Sequence, residues 1–182
     1  MLLFARNFIK HPKMLGSFIP SSRYLIDKTL AAVDWNRTRV FVEYGPGVGT
    51  FTTEVLRRMR PDATLLAIET NRDFVRFLGH KVRDPRLMVV NGSAAKVADE
   101  LDRAGQGRAD YVLSGIPFST MPRELRESIV QATRDVLHPD GAFLVYQFSR
   151  GVLPDLQRTF GSVSQDFEPL NIPPAQVFVA RP

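Results

Sequence analysis

The sequence contains no cysteine, which excludes disulfide bridges, thiolate metal ligands and a cysteine nucleophile. It also lacks long apolar runs: residues 142–146 form one of the longest, whereas a membrane-spanning helix needs about 20 apolar residues. Arg6, Asn7 and Lys10 interrupt the apolar N-terminal stretch, so we expect no secretory signal. With 182 residues, 44% of them hydrophobic, the chain predicts one ordinary globular core.

Acidic residues are scarce in the N-terminal quarter. Residues 1–40 carry seven Lys or Arg against only Asp27 and Asp34, whereas basic and acidic residues are equal in number over 41–182. The net charge of +5 therefore lies entirely in this quarter and indicates an anionic partner there, either nucleic acid or a membrane surface. A solvated basic face without a partner is the alternative.

Short apolar runs alternate with helical patterns from about residue 39, which predicts a parallel sheet with helices on both faces. The expected strands are 39–44, 63–69, 86–91, 109–114 and 142–148, and the expected helices are 50–60, 72–82, 94–104 and 122–137. Two further runs, 161–168 and 175–180, predict an antiparallel pair at the sheet edge.

Two helices are expected before the first strand. The first, 1–10, is amphipathic, and the second, 22–33, has Ser21 or Ser22 as its N-cap. The connecting segment 11–20 contains Pro12, Gly16 and Pro20 and is therefore expected to bend.

A glycine-rich turn joins the first strand to the next helix. Its Gly45, Gly47 and Gly49 differ in spacing from the dinucleotide fingerprint Gly-x-Gly-x-x-Gly. Glu43, two positions before the first glycine, suits a ligand with a positive ammonium group and would repel a pyrophosphate. Glu69 ends the second strand, about 20 residues after the glycines. This is the spacing expected of an acid that accepts hydrogen bonds from ribose hydroxyls. A ligand-free turn and a simple helix cap are the structural alternatives.

Together with segments 91–94, 114–118 and 137–141, these motifs resemble those of class I S-adenosylmethionine-dependent methyltransferases. The resemblance implies an α/β, Rossmann-like seven-stranded sheet with a terminal antiparallel strand. It also implies S-adenosylmethionine as methyl donor and S-adenosylhomocysteine as product. In that family an acid often stands where this chain has Ser93. The donor site implied by the resemblance comprises Glu43, Tyr44, Gly45, Gly47, Gly49, Thr50, Glu69, Thr70, Asn71, Gly92, Ser93, Ala94, Ser114 and Gly115.

Segments 16–24, 114–122 and 171–175 are similar to bacterial phospholipid N-methyltransferases, which methylate phosphatidylethanolamine or related amino lipids at the cytosolic membrane face. This similarity implies a membrane-binding lid, 1–38, before a catalytic domain, 39–182. It implies a monomer, peripherally bound to an anionic membrane, that needs no metal. Tyr24 and Ser114 are the catalytic candidates, and Tyr146 and His11 are further candidates. The expected substrate and membrane residues are Phe4, Arg6, Phe8, Ile9, Lys10, Lys13, Ser21, Ser22, Arg23, Ile116, Pro117 and Phe118.

Two other functions compete with this hypothesis. Ribosomal RNA adenine dimethylases also fit a basic chain, but they carry Asn at the start of an Asn-x-Pro-aromatic motif, where this chain has Gly115. We also expect no helical RNA-binding domain after the last strand, and therefore no nucleic-acid partner. The third possibility is a non-catalytic, cofactor-binding membrane adaptor, against which the intact glycine motif argues.

Overall fold

The structure is a computed structural model that describes residues 21–182, so the predicted helix 1–10 and segment 11–20 lie outside the described residues. None of its helices within residues 21–182 is long and apolar enough to span a membrane. The helices are α1 (Arg23–Leu30), α2 (Thr50–Arg58), α3 (Arg72–Lys81), α4 (Val97–Arg103), α5 (Arg123–Val136) and α6 (Leu153–Thr159). The strands are β1 (Val40–Tyr44), β2 (Thr64–Glu69), β3 (Leu87–Asn91), β4 (Ala109–Ser114), β5 (Leu137–Gln147), β6 (Ser162–Glu168) and β7 (Ala175–Arg181).

The seven strands form one sheet in the order β3-β2-β1-β4-β5-β7-β6. The first five strands are parallel, and β7 is antiparallel to both β5 and β6. This arrangement confirms the predicted seven-stranded sheet with its antiparallel terminal pair. The central strand β1, Val-Phe-Val-Glu-Tyr, is buried along its whole length, as expected of a strand covered on both faces.

The core lies on both faces of the sheet. On one face α1 and α2 pack Leu25 and Phe51 against Phe41 of β1. On the other face α4, α5 and α6 pack against the sheet around Phe143 of β5, with Val130 among the buried residues. The Ser22 hydroxyl accepts a hydrogen bond from Leu25 N at 3.2 Å, which confirms Ser22 as the N-cap of α1.

The predicted helix 22–33 ends at Leu30, the predicted helix 94–104 begins as a 3₁₀ turn before α4, and other ends shift by one or two residues. Two differences are larger. Strand β5 begins at Leu137 rather than at residue 142, because it already pairs with β4 there, before an irregularity that ends at Ala142. Helix α6 was not predicted. Leu156 within it and Val152 and Phe160 at its two caps have helical spacing and are buried, but the helix is short.

Candidate active site

The carboxyl ends of β1, β2 and β4 meet at one edge of the sheet. Tyr44, the last residue of β1, pairs with Ile68 of β2 on one side and with Ser114 of β4 on the other. Gly45 N donates to the Ile68 carbonyl at 2.9 Å, and Gly115 N donates to the Tyr44 carbonyl at 3.0 Å. The loops that carry the predicted motifs are therefore neighbours, at the edge where parallel sheets bind ligands.

The glycine turn needs its glycines for conformation and for space. Gly45, Gly47 and Gly49 have φ values of 68°, 55° and 83°, which disfavour any side chain. A Cβ on Gly49 would lie 2.5 Å from Leu78 Cδ1, and a Cβ on Gly45 would lie 2.7 Å from Ile116 Cγ2. A Cβ on Gly47 would meet nothing within 4 Å. The turn is thus packed at its two ends and open at its middle, where a ligand can approach the backbone.

Glu43 is a buried carboxylate at the end of β1, only 3% exposed. Its Oε2 accepts a hydrogen bond from Thr52 Oγ1 of α2 at 2.7 Å. Burial, aided by the nearby Glu69 charge and opposed by the Thr52 hydrogen bond, raises the pKa of Glu43 to about 7. A buried carboxylate with so high a pKa would be stabilised in its charged form by a cationic ligand.

Glu69 connects the glycine turn to the start of α3. Its Oε1 accepts from Asn71 N at 2.8 Å, and its Oε2 accepts from Gly47 N at 3.3 Å. Burial raises the pKa of Glu69, and these backbone donors counteract the increase. Asn71 caps α3 itself, because its Oδ1 accepts from Asp73 N at 2.9 Å. Asn71, and not Glu69, is therefore the side-chain cap of α3. Thr70 Oγ1 also donates to Glu69 Oε1 at 3.5 Å, whereas Oε2 accepts from Gly47 N alone and keeps a lone pair for a ligand.

The loop after β3 lies beside this carboxylate. Asn91 donates through Nδ2 to the carbonyl oxygens of Glu69 and Thr70, each at 2.9 Å. Ser93 Oγ accepts from Ala95 N at 3.3 Å, so this side chain begins the short 3₁₀ turn that precedes α4. Gly92 leaves space for a buried acid: a Cβ there would lie 3.1 Å from Glu100 Oε1.

A second group of residues meets at the carboxyl ends of β4 and β5. The Tyr146 hydroxyl lies where a side chain on Gly115 would begin, 2.5 Å from the position of its Cβ. The Tyr146 ring stacks on Phe51 at 4.8 Å between centroids. Burial, followed by the Glu43 charge, raises the pKa of Tyr146, and hydrogen bonding by Ser21 lowers it in part. Tyr146, Ser21 and Glu43 therefore share one environment.

Several predicted residues are placed less directly. Ser114 is fully buried, and within residues 21–182 its hydroxyl has no hydrogen-bond partner. Tyr24 is 61% exposed in the first turn of α1. The side chains of Tyr44 and Phe118 are buried in the core, Tyr44 bonded to Thr133 at 3.1 Å. These two side chains are thus core residues and contribute to the site only through the backbone they support.

Of the remaining predicted residues, Thr50 begins α2, and Thr70 and Ala94 lie in the loops that follow β2 and β3. Ile116 and Pro117 follow Gly115, and the side chain of Arg23 is 83% exposed. The predicted residues Phe4, Arg6, Phe8, Ile9, Lys10 and Lys13, with the candidate His11, lie outside the described part of the chain.

Sequence reasoning missed three supporting residues. Thr52 bonds Glu43, Lys81 Nζ donates to the Val48 carbonyl at 3.0 Å, and Gln147 Nε2 donates to the Ile116 carbonyl at 2.8 Å. Lys81 and Gln147 are remote in sequence from their partners, so no local pattern could have indicated them.

The sequence is similar to those of known methyltransferases. Residues 8–106 match the family model described as ribosomal RNA adenine dimethylase. The chain is 34% identical to an ornithine lipid N-methyltransferase of Singulisphaera acidiphila, over 98% of this chain and 94% of that protein. It is 27% identical to ribosomal RNA small subunit methyltransferase A of Dehalococcoides mccartyi, over 65% of this chain and 40% of that protein.

The fold also matches solved structures. The precorrin-6y C5,15-methyltransferase of Geobacter metallireducens aligns with a TM-score of 0.70 and 17% identity, over 86% of each chain. At that identity the likeness shows the fold alone. Since the family model spans more than half of the chain and the ornithine lipid N-methyltransferase matches nearly all of it, this protein is a class I S-adenosylmethionine-dependent methyltransferase of the ribosomal RNA adenine dimethylase family.

Proposed function

We propose that this protein transfers the methyl group of S-adenosylmethionine to the amino group of a lipid headgroup at the cytoplasmic face of a membrane. The observation that carries the proposal is the 34% identity to an ornithine lipid N-methyltransferase over almost the full length of both chains. An ornithine lipid is therefore the first candidate acceptor, and phosphatidylethanolamine or its methylated derivatives are the second. Both present a primary or partly methylated amine on an amphiphile.

The donor side fits S-adenosylmethionine. The turn is open at Gly47, and buried carboxylates stand on either side of it at Glu43 and Glu69. We assign Glu43 to the ammonium of the methionine moiety, since a cation would stabilise its charged form. We assign Glu69 to the ribose hydroxyls, because its Oε2 accepts from Gly47 N alone and keeps a lone pair for a ligand. Gly92, Ser93 and Ala94 are assigned to the adenine.

The acceptor side argues against a flipped adenine. Adenine dimethylases carry Asn at the position of Gly115, where an amide would hold the target base. Here the Tyr146 hydroxyl lies 2.5 Å from the position of a Cβ on Gly115, so an Asn side chain could enter only if Tyr146 moved. Moreover, the rRNA adenine dimethylase match covers residues 8–106 and ends before β4, so it includes neither Gly115 nor Tyr146.

Methyl transfer from a sulfonium donor to an amine requires little general acid–base catalysis from the protein. When bound, the donor supplies a methyl carbon on a sulfonium sulfur, which leaves as a neutral thioether as the amine nitrogen bonds that carbon. The headgroup amine must lose a proton before attack, and the chain must hold it in line and exclude water. We propose that the buried Ser114 hydroxyl accepts an N–H of the amine and that Tyr24 contacts the headgroup. The lid 1–38 and a monomeric, membrane-bound state belong to the same proposal.

To test this, the purified protein is incubated with labelled S-adenosylmethionine and one of three acceptors: vesicles containing an ornithine lipid, vesicles containing phosphatidylethanolamine, or 16S rRNA. We expect label in lipid. Glu69→Gln should lose transfer to every acceptor, whereas Glu124→Gln, which changes an exposed carboxylate of α5, should keep it. Label in RNA alone would replace the proposal with the rRNA methyltransferase that the family match also supports. Donor binding without any transfer would favour the adaptor.

A further inference from the structure

Exposed apolar side chains are concentrated at one edge of the fold. Within residues 21–182, seven large hydrophobic side chains are exposed. Two of them, Met88 and Phe167, lie within strands β3 and β6. The other five, here called the apolar rim, are Tyr24, Leu125, Phe148, Leu170 and Ile172.

The topology places the apolar rim at the carboxyl end of the sheet. Phe148 directly follows β5, and Leu125 is the third residue of α5, the helix that follows the β4 loop. Because β7 is antiparallel to β5 and pairs Gln176 with Gln147, the loop between β6 and β7 reaches the same edge. That loop exposes Leu170 by 59% and Ile172 by 73%. The rim therefore lies at the same edge of the sheet as the loops that form the candidate active site.

The rim loop is held in place against α1. Asn171, which is buried between the two exposed residues, accepts from Ser22 N through Oδ1 at 2.9 Å and donates through Nδ2 to the Pro173 carbonyl at 2.7 Å. Lys28 donates to the Phe167 carbonyl at 2.8 Å and pairs with the buried Glu168 at 3.5 Å. Hydrogen bonds and an ion pair therefore fix the loop, while the side chains of Leu170 and Ile172 remain exposed to solvent.

The charge of the adjoining segment indicates what covers this rim. Residues 1–20 carry Arg6, Lys10 and Lys13 and no Asp or Glu. They lead into Ser21 and Ser22, and Ser22 N donates to Asn171 of the rim loop at 2.9 Å. A basic segment thus joins the fold beside exposed apolar residues, the combination that binds anionic lipid surfaces.

We propose that Leu170 and Ile172 insert into an anionic lipid surface and seat the active site on the membrane, next to the basic segment. The proposal rests on the lipid-directed function above and adds to it a second membrane contact, at the opposite end of the chain from the basic segment. This contact would place the candidate active site next to the lipid headgroups, so that the headgroup amine lies at the carboxyl ends of β4 and β5.

The test measures co-sedimentation of the full chain with vesicles of phosphatidylcholine alone or with added phosphatidylglycerol. Leu170→Gln and Ile172→Gln are compared with Met88→Gln, a change on β3 at the opposite lateral edge of the sheet. Each rim variant should weaken partitioning to the anionic vesicles at least about fivefold, the scale expected for one large apolar side chain, and Met88→Gln should not. Unchanged melting temperatures confirm folding, because all three side chains are exposed.

The outcomes separate this proposal from the proposed function. Methyl transfer to a short-chain, monomeric amino lipid reports on the function alone, and the rim variants should retain it. Unchanged or tighter vesicle binding by both rim variants overturns the rim proposal, as does failure of the wild-type chain to bind the anionic vesicles. Light scattering that shows a dimer dissociated by these changes would overturn it in favour of a second copy of the chain.

Discussion

Replacing Glu43 with Gln should flatten the dependence of stability on pH. Burial raises the pKa of Glu43 from about 4.5 in the unfolded chain to about 7, so the folded protein binds this proton more tightly. Stability from this residue is therefore full at low pH and is lost as pH rises from 4.5 to 7. At about 1.4 kcal/mol per tenfold change, the loss is about 3 kcal/mol by pH 8, of which about 2 kcal/mol falls between pH 5 and 7.

The assay is urea unfolding of the ligand-free protein at several pH values between 5 and 8. Gln resembles the protonated carboxyl, and its carbonyl can still accept from Thr52. We expect Glu43→Gln to gain about 2 kcal/mol over the wild type between pH 5 and 7. Glu54→Gln is the matched control on α2: arginines 57 and 58 lower the pKa of Glu54 to about 2, so it does not titrate in this window. Equal pH slopes in wild type and Glu43→Gln would refute the reasoning.

Three further predictions concern the donor site and its supports. The donor's ammonium favours the charged form of Glu43, so the affinity for the donor should rise up to about tenfold between pH 6 and 8, and binding should release a proton. Calorimetry in buffers of different ionisation enthalpy measures that proton, and binding without proton release would contradict the assignment. Gly49→Ala forces a side chain to φ 83° and against Leu78, so it should cost at least about 1–2 kcal/mol of unfolding free energy, and an unchanged melt contradicts the packing. Ser22→Ala removes only the side-chain cap of α1, so it should lower the free energy of unfolding in urea by about 1 kcal/mol and leave donor binding unchanged. Weakened donor binding by this variant would contradict that expectation and link the cap to the site.

The donor half of the site could be predicted from sequence because its signals are local. The glycines of the turn follow β1 directly, and Glu69 ends the next strand at a fixed spacing, so strand–turn–helix order alone brings them together. Even there the sequence misassigned Tyr44, whose position next to Gly45 suggested a ligand contact. The alternation of a strand points its side chain into the core instead, where it bonds Thr133.

The acceptor half could not be predicted in the same way. Tyr146 reaches both Gly115 and Ser21 from a distant part of the chain, and such contacts depend on β5 lying beside β4. The sequence proposed Tyr146 as a candidate but had no way to connect it to the missing Asn at position 115. It also assigned Phe118 to the substrate surface from its place in the motif, whereas packing against Phe143 buries it.

The pairing of Gly115 with Tyr146 explains how one donor site can serve different acceptors. The family match to rRNA adenine dimethylases ends before β4, and the acids assigned to the donor, Glu43 and Glu69, lie within it. Under the proposed function, the chain beyond that match selects the acceptor, because the glycine at 115 removes the amide and the Tyr146 hydroxyl lies in its place. Ser21, the first residue after the basic segment 1–20, contributes to the pKa of that hydroxyl by hydrogen bonding. In the proposed function, the residue that would have to move to admit a base therefore lies next to the residue that follows the segment expected to meet the membrane.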